Sequence, residues 1–174
     1  MKKLRALKSL PENAFYTEID SPVGILTVIA SDKGLHAILW GGDRHDFLCD
    51  RIVQNLDRSD THPIIKKAKK QLTEYFEGKR KNFDLPLVIE GTEFQKQAWK
   101  ALQTIPYART ISYAEQAEKV GDRKKARAVG MANGSNPLSI VVPCHRVIGS
   151  SGDLTGFGGG LSTKKFLLEL ERVH

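Results

Sequence analysis

Cysteine is scarce in this chain. Its 174 residues include only Cys49 and Cys144, too few for the disulfide framework of a small secreted domain or for a four-cysteine zinc site. Long apolar runs are missing as well, and nothing approaches the roughly 18 residues of a membrane-spanning helix. The basic start, Met1-Lys2-Lys3-Leu4-Arg5-Ala6-Leu7-Lys8, lacks the uninterrupted apolar core of a signal peptide. No Gly-Lys-Ser/Thr phosphate loop and no strand-to-helix dinucleotide spacing occur, so no nucleotide cofactor is expected. These absences predict a soluble protein of a reducing, cytoplasmic compartment.

What remains is ordinary globular composition, with 40% hydrophobic and 27% charged residues, enough chain to bury about 70% of its unfolded surface without covalent staples. Lys and Arg number 27 against 20 Asp and Glu, a net charge of +7. The excess is uneven. Residues 1–91 carry a net +2, whereas the shorter 92–174 carries +5. That asymmetry permits a polyanionic partner.

The first half opens on strand patterns at 14–19, 24–30 and 34–40, separated by Ser21-Pro22-Val23-Gly24 and Ser31-Asp32-Lys33-Gly34. Short gaps of this kind predict an antiparallel meander. Two helices are predicted next: 43–57, with Leu48, Ile52 and Leu56 in register, and 63–77, with Ile65, Ala68, Leu72 and Phe76 on one face. Cys49 falls in the first and reads as a small buried hydrophobe. The charged stretch 78–91, with Pro86 and Gly91, is the expected boundary between two domains, 1–91 and 92–174.

The second half is helical in pattern. Thr92 with Gln95, and Ser112 with Glu115, are capping boxes that start two helices. The second stops at Gly121, and a third is predicted over 123–133. Two short helices about a tight glycine-containing turn make a helix-turn-helix. The third helix opens Arg123-Lys124-Lys125-Ala126-Arg127, which favours nucleic-acid contact.

The chemistry concentrates at Leu138-Ser139-Ile140-Val141-Val142-Pro143-Cys144-His145-Arg146-Val147. The apolar run predicts a buried strand ending in a turn at Pro143. Adjacent cations and an imidazole favour the thiolate of Cys144, the nucleophilic form. Successive residues of an extended strand face opposite ways, so Cys144 and His145 can cooperate only if the backbone turns or a water bridges them. Read locally, the motif leaves open an activated thiol, a thiol hydrolase and a structural cysteine beside a solvated His-Arg pair. The glycine-rich segment 149–160, with Phe157 at its centre, suits a wall around a flat ligand. A last helix is expected near 162–172 with Phe166, Leu167 and Leu170 inward.

Pro143-Cys144-His145-Arg146-Val147, preceded by Asn136-Pro137 and Ala126-Arg127-Ala128-Val129-Gly130, resembles the methylated-DNA–protein cysteine methyltransferases, also called O6-alkylguanine-DNA alkyltransferases. The likeness covers roughly 92–172 in order and spacing. It implies an α+β fold: a small N-terminal α/β domain with an antiparallel, ribonuclease-H-like sheet, then a helical domain with a winged-helix-like helix-turn-helix. It implies a monomer that acts once, without cofactor or metal, on duplex DNA containing O6-alkylguanine or O4-alkylthymine, in the cytoplasm or on the nucleoid. Cys144 would accept the alkyl group from a flipped base, and His145 would deprotonate it through a water. Glu171 would orient that histidine, Asn136 would brace the turn, and Tyr113 would donate a proton to the leaving base. Arg127 would fill the gap in the duplex, with Arg123, Lys125, Ala126, Tyr113 and Ser150 along the DNA. Val147, Phe157, Gly158 and Gly159 would line the lesion pocket. The sequence departs from the family at Phe157, where Tyr is common, at Gly158, where Ser or Ala occurs, and at Lys124, where Pro is common. The alternatives are a non-catalytic lesion binder, a helix-turn-helix regulator and a thiol hydrolase.

Overall fold

The protein, a computed structural model, is described over residues 10–41 and 51–174. Cys49, His45 and most of the helix expected over 43–57 lie outside the described residues. The chain divides into two compact units that meet in sequence between Ile89 and Glu90.

In the first unit the β-branched and aromatic runs become β1 (Phe15–Ile19), β2 (Leu26–Ser31) and β3 (Gly34–Trp40). Each pairs antiparallel with the next, as the short turns require. A two-residue β4 (Asp57–Arg58) lies parallel to β1. The sheet order is therefore β3-β2-β1-β4, and the sheet is mixed, not the purely antiparallel one expected. Residues 51–53 are helical and 54–56 form a turn, so the helix predicted through 57 ends early. The chain extends at Asp57 because the backbone of β1 offers a ladder there.

Helix α1 (Pro63–Phe76) starts on proline, whose missing N–H costs nothing in a first turn. It buries Ile65, Ala68, Leu72 and Tyr75. Tyr75 takes the inward place that the spacing predicted for Phe76. Gln71, also buried, exchanges two hydrogen bonds with the Asp84 backbone, at 2.9 and 2.8 Å. The stretch expected as a plain connection runs along the outer edge of β3. There Leu35 N donates to Pro86 O at 2.8 Å and Val88 N to Leu35 O at 2.9 Å. That pairing covers an otherwise open sheet edge. Gly34 makes it possible. Its φ is +140°, and a Cβ there would stand 2.5 Å from the Pro86 carbonyl oxygen.

In the second unit both capping boxes form. Thr92 and Gln95 open α2 (Glu93–Gln103), and Ser112 and Glu115 open α3 (Tyr113–Lys119). Gly121, at φ +99°, reverses the chain, as only glycine does without strain. The third helix differs from its predicted span of 123–133. Arg123–Lys125 form a 3-10 turn capped by the Asp122 side chain, and the α-helix proper, α4, is Ala126–Gly134. Three adjacent cations start no α-helix well at its positive end. The Asp122 carboxylate, accepting from Lys124 N at 2.9 Å, holds them in the tighter turn instead.

The three helices share a polar lock. The Gln116 and Asn133 side chains exchange hydrogen bonds at 2.9 and 2.7 Å, and Gln116 also donates to Ala98 O at 3.1 Å. Around it pack Ala98, Ala117, Val129 and Ala132. Trp99, fully buried, donates to Ala132 O at 2.9 Å. A short parallel pair joins β5 (Ile111–Ser112) to β6 (Val147–Ile148), and α5 (Leu161–Val173) closes the unit.

Candidate active site

The apolar run 138–142 is a buried turn, not a strand. Asn136 builds it, as its side-chain amide donates to Val142 O at 2.8 Å and its side-chain oxygen accepts from Leu138 N at 2.9 Å. Val142 N donates to Leu138 O at 2.8 Å, and Ile140 is held at φ +75°. A β-branched residue in that region is strained. A buried amide serving both sides of the turn keeps it there.

The turn delivers Pro143 into a 3-10 turn of Cys144, His145 and Arg146. The backbone therefore winds where an extended strand would have set Cys144 and His145 on opposite faces. Cys144 is buried but retains 6% exposure, at the head of the turn. His145 is fully buried, and its Nε2 lies 2.7 Å from Glu171 Oε1. Burial, the largest effect, lowers the imidazole from its usual 6.5; Glu171 opposes this, while Arg146 and Lys164 reinforce it. The ring is thus neutral near pH 7. Its Nε2–H faces the carboxylate, which leaves the Nδ1 lone pair as the basic position.

Glu171 is the hub of the site. Arg146 donates to it from Nε at 2.9 Å and from Nη2 at 3.0 Å, and Ala108 N donates at 3.1 Å. Burial alone would raise this carboxyl. The hydrogen bonds from His145 and Arg146, with the Arg146 charge, reverse that and bring it from 4.5 to about 2. Arg146, whose role the motif left open, is 7% exposed and spends its remaining arm on Ile105 O at 2.7 Å. Its guanidinium therefore faces the carboxylate and not a solvent-side phosphate. Ala108 adopts φ +58° to aim its N–H at Glu171.

Lys164 is a residue that the sequence reading missed. It is fully buried, and its Nζ donates to Val147 O at 2.6 Å and Thr155 O at 2.8 Å. Burial lowers this ammonium from 10.5, and the charge of Cys144 opposes the fall. The cation thus lies within electrostatic reach of the thiol. Lys164, Leu167 and Glu171 fall on the buried stripe of α5, where a lysine is out of place unless paired, and only the folded helix shows that stripe. Phe166 and Leu170, expected inward, are only half-buried.

The other predicted residues fall in two groups. Tyr113 is half-buried, and its hydroxyl donates to Thr155 O at 3.0 Å, so Tyr113 and Lys164 share one carbonyl acceptor. Val147 is fully buried, while Phe157, Gly158 and Gly159 are half-buried in the segment leading to α5. Arg123, Lys125, Arg127 and Ser150 are exposed and Ala126 is half-buried. Arg123 Nη1 donates to Glu118 at 3.3 Å, and Lys125 Nζ sits 6.0 Å above the Phe94 ring. Arg127 has no ion-pair partner among the described residues.

Comparison with known proteins is consistent across the chain. Residues 93–173 match the family described as 6-O-methylguanine DNA methyltransferase, DNA binding domain, and residues 14–89 match its ribonuclease-like domain. The methylated-DNA–protein-cysteine methyltransferase of Mycolicibacterium paratuberculosis is 46% identical over 159 residues, covering 91% of this chain and 93% of the relative. The constitutive protein of that description from Bacillus subtilis is 44% identical over 160 residues, covering 91% and 96%. Among solved structures, Mycobacterium tuberculosis O6-methylguanine methyltransferase superposes with a TM-score of 0.80 at 43% identity, covering 92% of this chain and 93% of that one. The Mycobacterium tuberculosis protein OGT in complex with DNA superposes at 0.78 with 44% identity, covering 91% and 93%.

Proposed function

The chain belongs to the O6-methylguanine DNA methyltransferase family, and from that premise we propose how its own residues carry out the transfer. It is a DNA-repair protein that moves an alkyl group from damaged DNA onto its own cysteine. Cys144 is the acceptor. The neutral His145 takes the thiol proton at Nδ1 through a water. The thiolate then attacks the alkyl carbon of O6-alkylguanine or O4-alkylthymine; the S–C bond forms as the C–O bond breaks. Tyr113 gives up its bond to Thr155 O and donates a proton to the departing base. Glu171 fixes the histidine tautomer, and Arg146 holds Glu171 in place. Lys164 stabilises the thiolate as a buried cation. The product is a thioether with no good leaving group, so each molecule reacts once.

The basic 3-10 turn and α4 carry the DNA contact, with Arg127 filling the gap left by the flipped base. Ser150 lies along the strand. Residues 92–174 form the DNA-binding, alkyl-accepting domain, and 1–91 form the second domain. The protein works as a monomer in the cytoplasm or on the nucleoid. The observation that carries this reading is Cys144 at the head of a turn whose next two residues converge on one buried carboxylate. The test is intact-protein mass after mixing with duplex DNA containing O6-methylguanine. One methyl per chain, on the peptide containing Cys144, is expected. Uptake beyond one equivalent, or at another residue, overturns the proposal.

A further inference from the structure

We propose that Tyr107 is a positioning residue for the alkyl transfer, its ring seating the Arg146 guanidinium against Glu171. The inference deepens the reading of Cys144 as the alkyl acceptor and rests on it. Arg146 uses its in-plane donors in two directions. Nε and Nη2 reach the two Glu171 oxygens at 2.9 and 3.0 Å, and Nη1 reaches Ile105 O at 2.7 Å. Such bonds fix the plane of the guanidinium and leave its flat faces for packing. Arg146 lies over the Tyr107 ring, with the guanidinium carbon 5.6 Å from the centroid, inside the roughly 6 Å over which a ring attracts a cation.

The backbone around Tyr107 serves the same ion pair. Between Pro106 and Ala108, both exposed, Tyr107 turns inward and buries its hydroxyl. Ala108 takes φ +58° and donates its N–H to Glu171 Oε2 at 3.1 Å, a conformation that alanine enters against its preference. Ile105, Tyr107 and Ala108 thus hold one guanidinium–carboxylate pair by carbonyl, ring and amide. Burial first, and then the Glu171 charge, raise the phenol above its usual 10, so the ring stays neutral where a phenolate would draw Arg146 off the carboxylate. The seat matters to His145. Glu171 and Lys164 of α5 act on the imidazole, Arg146 acts on it from its own turn, and Cys144 precedes it there. Glu171 favours the charged imidazole, and Arg146 opposes it. An Arg146 that slips from the ring leaves Glu171 to the histidine, which then holds a proton at higher pH and stops acting as a base sooner as pH falls.

The test is single-turnover methyl transfer from duplex DNA containing O6-methylguanine, followed by mass across pH with the full chain, at a temperature where each variant is folded. Tyr107→Leu and Tyr107→Met keep apolar bulk without a ring. Their acid midpoint should move to higher pH by about 0.5, which is about a threefold change in the ratio of charged to neutral imidazole. Tyr107→Phe keeps the ring and should keep the wild-type midpoint. Solvent exchange of the Arg146 Nε–H, read by NMR, should quicken about threefold or more in the two ringless variants and not in Tyr107→Phe. A residue that only filled space would lower stability in urea and leave midpoint and exchange in place. A midpoint or an exchange rate at the wild-type value in both ringless variants overturns the inference, as does a change in Tyr107→Phe as large as theirs. Methyl uptake by the wild type is read in parallel. Its failure would sink the alkyl-transfer reading, whereas normal uptake with unmoved midpoints in the ringless variants would sink only the Tyr107 assignment.

Discussion

Replacing Glu171 by Gln keeps the shape of the site and removes its charge. Glu171 accepts from Arg146 Nε at 2.9 Å, Arg146 Nη2 at 3.0 Å and Ala108 N at 3.1 Å, and meets His145 Nε2 at 2.7 Å. Its carboxyl falls from 4.5 to about 2 on folding, which corresponds to about 3 kcal/mol of stability at neutral pH. Stranding one partner of a buried ion pair costs roughly 3–5 kcal/mol, and the two figures agree. Urea denaturation of the variant at pH 7 should therefore show a loss of about 3 kcal/mol. Because the folded-state carboxyl titrates below its unfolded counterpart, its contribution is whole above pH 4.5 and is lost as pH falls through about 2. The wild-type and variant stability curves must converge in acid. Single-turnover methyl transfer, measured at a temperature where the variant is folded, should slow about a hundredfold or more, because an amide no longer enforces the Nε2–H tautomer of His145. Stability within about 1 kcal/mol of the wild type at pH 7, or a gap that widens in acid, would refute the reasoning.

Other substitutions probe separate parts of the structure. Asn136→Ala removes both side-chain bonds that brace the turn before Cys144 and should cost about 1–3 kcal/mol in urea denaturation, with slower transfer in the folded fraction. Lys164→Met removes the buried cation near the thiol. Its transfer rate should fall about tenfold at neutral pH and recover at higher pH, so a pH–rate profile unchanged in shape would count against a role in stabilising the thiolate. Arg127→Ala should slow methyl transfer from duplex DNA more than from the free modified base, measured by mass. Gly34→Ala forces a Cβ to within 2.5 Å of Pro86 O at φ +140° and should destabilise the first unit by more than about 2 kcal/mol in denaturation.

Features encoded within a few residues were legible in the sequence. Thr92 and Gln95, and Ser112 and Glu115, declare their helix starts because each cap needs only a hydroxyl and a partner three residues on. The Pro-Cys-His-Arg motif singled out Cys144 as the candidate nucleophile for the same reason. The turn at 138–142 was not legible, since its β-branched residues prefer strands and only the Asn136 side chain overrides them. Nor was the role of Arg146, whose carboxylate partner lies 25 residues away. Asp57 extends only because β1 offers an edge, a cause that no local pattern records. Lys164 looked like any surface lysine until the buried stripe of α5 was known.

The amide pair at Gln116 and Asn133 has a consequence for how this protein can vary. Each side chain supplies what the other lacks, in a place without solvent, so an apolar replacement at either position strands the other's donor and acceptor. A reciprocal exchange or a joint loss escapes that penalty. The two sites therefore constitute one heritable character: substitutions there should be tolerated in pairs and purged singly, and a double-mutant cycle across them should be strongly non-additive.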